Sequence, residues 1–275
     1  MMSAVARSGV LGIIPGHRWR TRYLYPGLTL LLVLLGWEVG IRVLRIPDFI
    51  LPPPSEIVAE MVAQRTSLLP HTFVTAGEVL VGFGLSLAVG IPLGIMIVYS
   101  PFFERTIYPL LVSSQTIPKI AIAPLFLFWF GFGATSKIVV ALLIAFFPMV
   151  ISTVIGLRSI EREMIHLARS MGAGELLTFL KIRLPSALPN IFGGMKVAIT
   201  LAVVGAVVGE FVGADKGLGY VVVLANGALN TKLLFAAIVM LSLLGIVLFA
   251  AVHLLERALL PRHLILTGEE TASTM

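Results

Sequence analysis

Cysteine is absent from the sequence, which removes disulfides, thiolate metal ligands and cysteine nucleophiles together. Charge is sparse: 12% of the 275 residues are Asp, Glu, Lys or Arg, against roughly a quarter in a water-soluble domain. So little polar surface cannot cover a globule in water, and soluble enzymes and disordered proteins are excluded. Asp48 and Asp215 are the only aspartates, and no triad-like grouping with serine and histidine emerges. His17, His71, His166, His253 and His263 are scattered, with no pair at metal-ligand spacing. A P-loop needs glycine directly before its lysine. None of Lys119, Lys137, Lys181, Lys196, Lys216 and Lys232 has one. The chain is therefore expected to have no catalytic residue, no metal and no nucleotide site of its own.

What the sequence has is apolar length. Hydrophobic residues make up 58% of it and the mean hydropathy is +1.02. A spanning helix needs about 20 apolar residues, and apolar stretches fall at 26–44, 73–98, 118–131, 138–157, 191–213 and 233–255. The third is short and begins at Pro118, so it is expected to extend back through 106–117. Six spans is the reading, with five and a re-entrant piece as the alternative. The fold class is an all-α integral membrane bundle of six transmembrane helices. Basic residues set its orientation. With both N and C termini cytoplasmic, Arg105, Lys119, Arg158, Arg162, Arg169, Lys181, Arg183, Arg257 and the basic residues of both tails lie inside. Arg42, Arg45, Arg65, Lys137, Lys216 and Lys232 are left outside. The excess of 20 Lys+Arg over 14 Asp+Glu is then topology, and nucleic acid is not an expected partner. The segments are a basic cytoplasmic tail at 1–25, a first span at 26–44, an external loop at 45–72, a core at 73–260 and a cytoplasmic tail at 261–275.

Two connections are longer than a simple loop requires. After Pro52-Pro53-Pro54, Ser55 is a plausible N-cap for an amphipathic helix with Ile57, Val58, Met61, Val62, Leu68 and Leu69 on one side. That helix is read either as a connector lying on the bilayer or as a dock for an external partner. In the loop 158–190, Met164, Leu167, Ala168 and Met171 fall at helical spacing until Gly172-Ala173-Gly174 stops them. A second short helix carries Leu176, Leu177, Leu180 and Leu184 and ends before Pro185. This helix–Gly–helix knob is too small to fold alone, so it must pack on the bundle and offer its other face elsewhere.

Small residues recur at Gly82, Ser86, Gly90 and Gly94 in one span. Gly205, Gly209 and Gly213 repeat the device in another. Positions i and i+4 share a helix face, so each stripe admits a close backbone neighbour. Tight static packing is one reading and a translocation path or dimer-packing surface the other, and both can hold together, because a protein that changes access needs close but shallow contacts. Ionisable residues in spans cost roughly 2.5–3.5 kcal/mol each at mid-membrane. Glu210 is a candidate for the translocation path or for a partner-satisfied carboxylate. Glu38, mid-way along the first span, is read as snorkelling or pairing, and Glu78 and Lys196 as helix-end or inter-helix pairing groups.

The loop spells His166-Leu167-Ala168, three residues, Gly172, nine residues, then Ile182-Arg183-Leu184-Pro185. This resembles the EAA motif of ABC-importer permeases, with His166 in place of its Glu and Leu167 in place of its first Ala. Leu51-Pro52-Pro53-Pro54-Ser55, Gln115 to Lys119, Trp129 to Gly133, and Gly209-Glu210-Phe211 with Gly217 to Tyr220 are similar to the nitrate/sulfonate/taurine branch of those permeases. The resemblance covers roughly 50–263 and implies a type I ABC importer permease in a prokaryotic inner membrane. It implies a second permease copy, usually identical, two cytoplasmic ATPase subunits that bind the ATP and Mg, and an external solute-binding protein. His166, Ala168, Gly172, Leu176, Leu180, Ile182, Leu184 and Pro185 would form the ATPase-coupling helix. The solute would be a nitrate, taurine or alkanesulfonate-like anion, or a flavin or pyrimidine-type compound. A stand-alone carrier or channel is the competing reading. It would more often show paired half-repeats and embedded ion ligands, neither of which is evident. A membrane enzyme is remote.

Overall fold

The computed structural model describes residues 16–260. Most of the tail read at 1–25, and the tail at 261–275, lie outside the described residues. In chain order the helices begin with α1 (Gly16–Leu44), α2 (Pro54–Ala63) and α3 (Arg65–Tyr99). A π-turn (Phe103–Ile107) leads into α4 (Tyr108–Ser114), and a 3₁₀ turn (Lys119–Ile122) into α5 (Ala123–Phe130). Then come α6 (Ala134–Arg158), α7 (Arg162–Ser170), α8 (Glu175–Thr178), a second π-turn (Phe179–Arg183) and α9 (Leu184–Gly213). The last two are α10 (Leu218–Gly227) and α11 (Thr231–Leu259).

Five segments are long and apolar enough to cross a membrane: Leu24–Leu44, α3, α6, Glu175–Gly213 and α11. Phe103–Ser114 and Lys119–Phe130 form a further apolar pair, bent by 87° at the break between them. Five unbroken spans are thus present, and the bent pair is the sixth as a broken span or the re-entrant piece of the alternative reading.

Helix α6 is the spine. It lies between α3 and α9, and half of its apolar window is buried, against 6% for α1. Its small and β-branched residues Ala141, Ala145, Val150 and Val154 are fully enclosed. Without a hydrophobic driving force between helices in lipid, such close packing supplies the attraction. Gly205 shows how close it is: a Cβ there would lie 2.6 Å from the Cα of Ala141. Helix α1 stands apart. Glu38 pairs with Arg42, and Trp37 meets Phe235 of α11 edge-on at 6.0 Å.

Two local expectations are corrected. Ser55 does not cap α2: the N-cap is Pro53, and Pro54 occupies the first turn, where a fixed φ and missing N–H cost nothing. Ser55 instead donates its N–H (3.0 Å) and hydroxyl (2.8 Å) to the Glu38 carboxylate, so α1 supplies the acceptor for the start of α2. That helix ends at Ala63, and Leu68 and Leu69 belong to α3. Ile57 and Leu68 are buried with Leu218, Val221, Ala236 and Ala237, while Val58 and Val62 stay exposed.

The helix of the 158–190 loop also does not end before Pro185. The chain stays helical from Glu175 to Gly213. The π-turn at Phe179–Arg183 places Pro185 in the first turn of α9. Proline removes one hydrogen bond and clashes with the carbonyl four residues back. The wider π register relieves both, and Pro109 follows the other π-turn in the same way.

Candidate functional site

Two constructions stand out, at opposite ends of the bundle. The first is the knob at the end where α6 finishes and α9 begins. Helix α7 closes in a Schellman arrangement. The N–H of Gly172 donates to the carbonyl of Arg169 (3.0 Å) and that of Ala173 to the carbonyl of Ala168 (3.0 Å). Gly172 sits at φ +84°, in the left-handed region open to glycine at little cost. The stop expected at Gly172 is therefore built as the sequence implied.

Arg169 pairs with Glu175 across the turn, holding α7 to α8. Ala168 and Thr178 are buried beneath the knob, whereas His166, Leu167, Met171, Leu176, Leu177 and Leu180 are exposed. Ile182, Leu184 and Pro185 are half-buried, and Leu184 packs on the main core. Between α7 and α8 lies an apolar groove of about 390 Å³, lined by Met164, Leu167, Met171, Leu177 and Ile182 among others. Below the knob, Arg183 lies over Tyr99 (5.0 Å) and Tyr99 meets Phe179 edge-on. An aromatic seat thus joins the knob to α3 and α9.

The second construction is a buried polar cluster at the other end, where α10 begins. The first amides of a helix have no intrahelical partner. Those of α10 are met by side chains of α3 and α9. Gly217 N–H donates to His71 Nδ1 (3.0 Å), Leu218 N–H to Thr75 Oγ1 (2.8 Å), and Gly219 N–H to Glu210 Oε2 (2.5 Å). The Thr75 hydroxyl donates to Glu210 Oε1 (2.7 Å), so both oxygens of this buried carboxylate are occupied. One turn further along α3, Glu78 pairs with Lys137 of α6 at 2.8 Å. Both side chains are 4% exposed. The ammonium also reaches the Lys216 carbonyl (3.4 Å). Gly217, at φ +114° and packed on the Glu210 carboxylate, and Gly219 leave room for that side chain.

The structure places the two glycine stripes inside the single chain. Gly82 and Gly205 lie against Ala141, Gly90 against Met149, Gly94 against Thr153, and Gly209 against Lys137, all on α6. Ser86 is buried and donates to the carbonyl of Phe83. Gly213 meets Leu127 and Phe132. These are close packing contacts within one protomer, and both oxygens of Glu210 are hydrogen-bonded. Lys196 pairs with Glu256 of α11 (2.5 Å), and Glu78 with Lys137, as pairing groups do.

Sequence reasoning picked out Glu210 and Glu78 but missed His71, Thr75, Gly217 and Gly219 as their surroundings. A signal was present. His71, Thr75 and Glu78 precede Gly82, Ser86, Gly90 and Gly94 at three- and four-residue steps, so one face of α3 is polar and then small along its whole length.

The family described as the inner membrane component of binding-protein-dependent transport systems matches residues 87–261. The formylaminopyrimidine transport permease protein ThiX of Halalkalibacterium halodurans is 41% identical over 239 residues, 86% of this chain and 95% of that protein. The riboflavin transport system permease protein RibX of Chloroflexus aurantiacus is 39% identical over 256 residues, 91% of this chain and 96% of that one. Permeases named for aliphatic sulfonates and taurine are also relatives. In structure, the chain resembles the MetNI methionine ABC transporter in an inward-facing conformation, with a TM-score of 0.62 over 70% of this chain and 95% of that one. At 21% identity that likeness shows the fold. The chain belongs to the binding-protein-dependent transport family and is a multi-pass inner-membrane permease subunit of an ABC importer.

Proposed function

We propose that this permease couples to a separate ATPase through the 158–190 knob and carries a small solute along a path between two copies of the chain. The observation behind the coupling is the knob itself. It shows an exposed apolar surface and groove, a helix break fixed at Gly172, and an aromatic seat on α3 and α9. A soluble groove on a partner would cover that surface, and a push on it would be passed to α3 and α9 as a rigid-body change. His166, exposed on the knob, would stand where the motif's carboxylate stands in relatives. ATP and Mg would be held by two partner ATPases, since the chain has no P-loop. An external solute-binding protein would deliver the solute. Both termini would be cytoplasmic, which puts the knob on the ATPase side and the α10 cluster on the solute side. The apolar, exposed flanks of α1 and α11 leave ample surface for a second copy.

For the solute, the two relatives with the greater identities are named for a formylaminopyrimidine and for riboflavin. A pyrimidine- or flavin-type compound is therefore favoured over a taurine-like anion. The test is ATP-driven uptake by proteoliposomes holding this chain with its ATPase and binding protein, offered labelled formylaminopyrimidine, riboflavin or taurine. Uptake of one of the first two, lost on omitting ATP, supports the reading. Uptake without ATP or ATPase would instead make the chain a stand-alone carrier.

A further inference from the structure

The break between α4 and α5 carries chemistry that neither the knob nor the α10 cluster explains. Leu111, before the break, packs beside Val150 and Val154 of α6. Ala123, after it, packs beside Val140 and Ile144. The Lys119 ammonium lies 4.2 Å over the ring of Phe147, in the middle of the 25-residue α6. Lys119 was expected with the cytoplasmic cations; it stands instead at mid-depth of the bundle.

The backbone there is irregular and uncovered. Gln115, Thr116, Ile117 and Pro118 are exposed in the single chain. Among the described residues no backbone N–H reaches the carbonyls of Gln115, Thr116 or Ile117. No carboxylate of the described residues pairs with Lys119; the Phe147 ring is its charge partner. Irregular backbone at membrane depth does not face lipid; it is buried in protein or lines water. An unpaired ammonium at the same depth is costly in hydrocarbon and adds weight to water.

We propose that the α4–α5 break lines the solute's route and that Lys119 acts there as a charge filter. It admits solutes that present anionic or carbonyl oxygens and turns away cations. A fixed positive charge in a narrow, low-dielectric passage raises the local concentration of anions and lowers that of cations. The free carbonyls and the Gln115 and Thr116 side chains supply the neutral hydrogen-bonding surface beside it. This inference rests on the permease reading above and adds a named contact and a charge class to it.

The native chain has no cysteine, so single thiols can be placed without background on it. The experiment uses the intact transporter complex in right-side-out and inside-out vesicles, with and without ATP. Thr116→Cys is exposed to an anionic sulfonatoethyl and to a cationic trimethylammonioethyl methanethiosulfonate, read as mass added to this chain. ATP-driven uptake by the same complex is measured first, which separates a failure of the permease reading from a failure of the filter. The expected result is labelling of Thr116→Cys, with none at Leu31→Cys on the outer face of α1. Adding Lys119→Gln then lowers the anionic-to-cationic rate ratio about tenfold, and Lys119→Arg preserves it. No labelling from either side in any state would overturn the route. Labelling with a ratio unchanged by Lys119→Gln would leave the route standing and overturn the filter.

Discussion

Gly217→Ala tests whether α10 is held where the polar cluster places it. A Cβ at this position would lie 2.0 Å from Oε1 of Glu210 and 2.3 Å from its Cδ. The carboxylate has nowhere to go, because Thr75 holds one oxygen at 2.7 Å and the Gly219 amide the other at 2.5 Å. The φ of +114° at Gly217 adds a backbone cost of about 1–3 kcal/mol for any residue with a Cβ. Overpacking adds about 1–3 kcal/mol more, so the substitution is expected to cost about 2–6 kcal/mol in all. The two parts separate in a double-mutant cycle with Glu210→Ala, which removes the obstructing oxygens. In that background the steric part vanishes, the backbone part persists, and the coupling is about 1–3 kcal/mol. Unfolding in mixed detergent micelles, followed by tryptophan fluorescence and by protection of a Val221→Cys thiol on α10, reads both. Wild-type stability in Gly217→Ala, or strict additivity with Glu210→Ala, would refute the placement of α10 on this carboxylate.

Other substitutions follow from the same packing. Lys137→Ala strands the buried Glu78 carboxylate and should cost about 3–5 kcal/mol. Replacing both partners, as Lys137→Met with Glu78→Leu, should recover most of that in the same unfolding assay. Gly205→Ala meets the backbone of Ala141 and should destabilise by about 1–3 kcal/mol. Gly193→Ala on the same helix meets nothing within 4 Å and should leave the unfolding midpoint at or slightly above wild type. Gly172→Ala forces a side chain into φ +84° at a cost of about 1–2 kcal/mol. It should lower ATP-driven uptake more than detergent stability, because the strain falls on the knob and not on the α3–α6–α9 core.

The spans were legible because apolar length is a one-dimensional property, and the α7 stop was legible because a glycine in the left-handed region leaves a local mark. The glycine stripes showed that something approaches closely, but not what. Gly82 and Gly205 come from different helices and meet the same Ala141, a pairing that depends on three helices at once. Pro185 misled for a related reason: a proline reads as a stop unless the preceding turn widens, and the π-turn at Phe179–Arg183 leaves no compositional trace. Ser55 looked like a cap because the acceptor that replaces it, Glu38, lies on another helix. The α10 cluster joins Thr75 to Glu210 across 135 positions, so Glu210 could be singled out by its cost in a span while its partners could not. Lys119 was misplaced because a charge beside a proline looks like a loop, and only the packing beside Phe147 fixes its depth.

The measurement that bears most directly on the central claim is co-purification of the ATPase with the detergent-solubilised permease. It compares wild type with the double variant Gly172→Pro, Ala168→Glu. Proline cannot adopt φ +84° or donate the Gly172 N–H, and a carboxylate at Ala168 would be driven into the buried side of α7. The account predicts that wild type retains the ATPase and that the variant loses it while keeping a monodisperse elution profile and the wild-type unfolding midpoint of the span core. Equal retention by both proteins, or none by wild type, would contradict coupling through the knob.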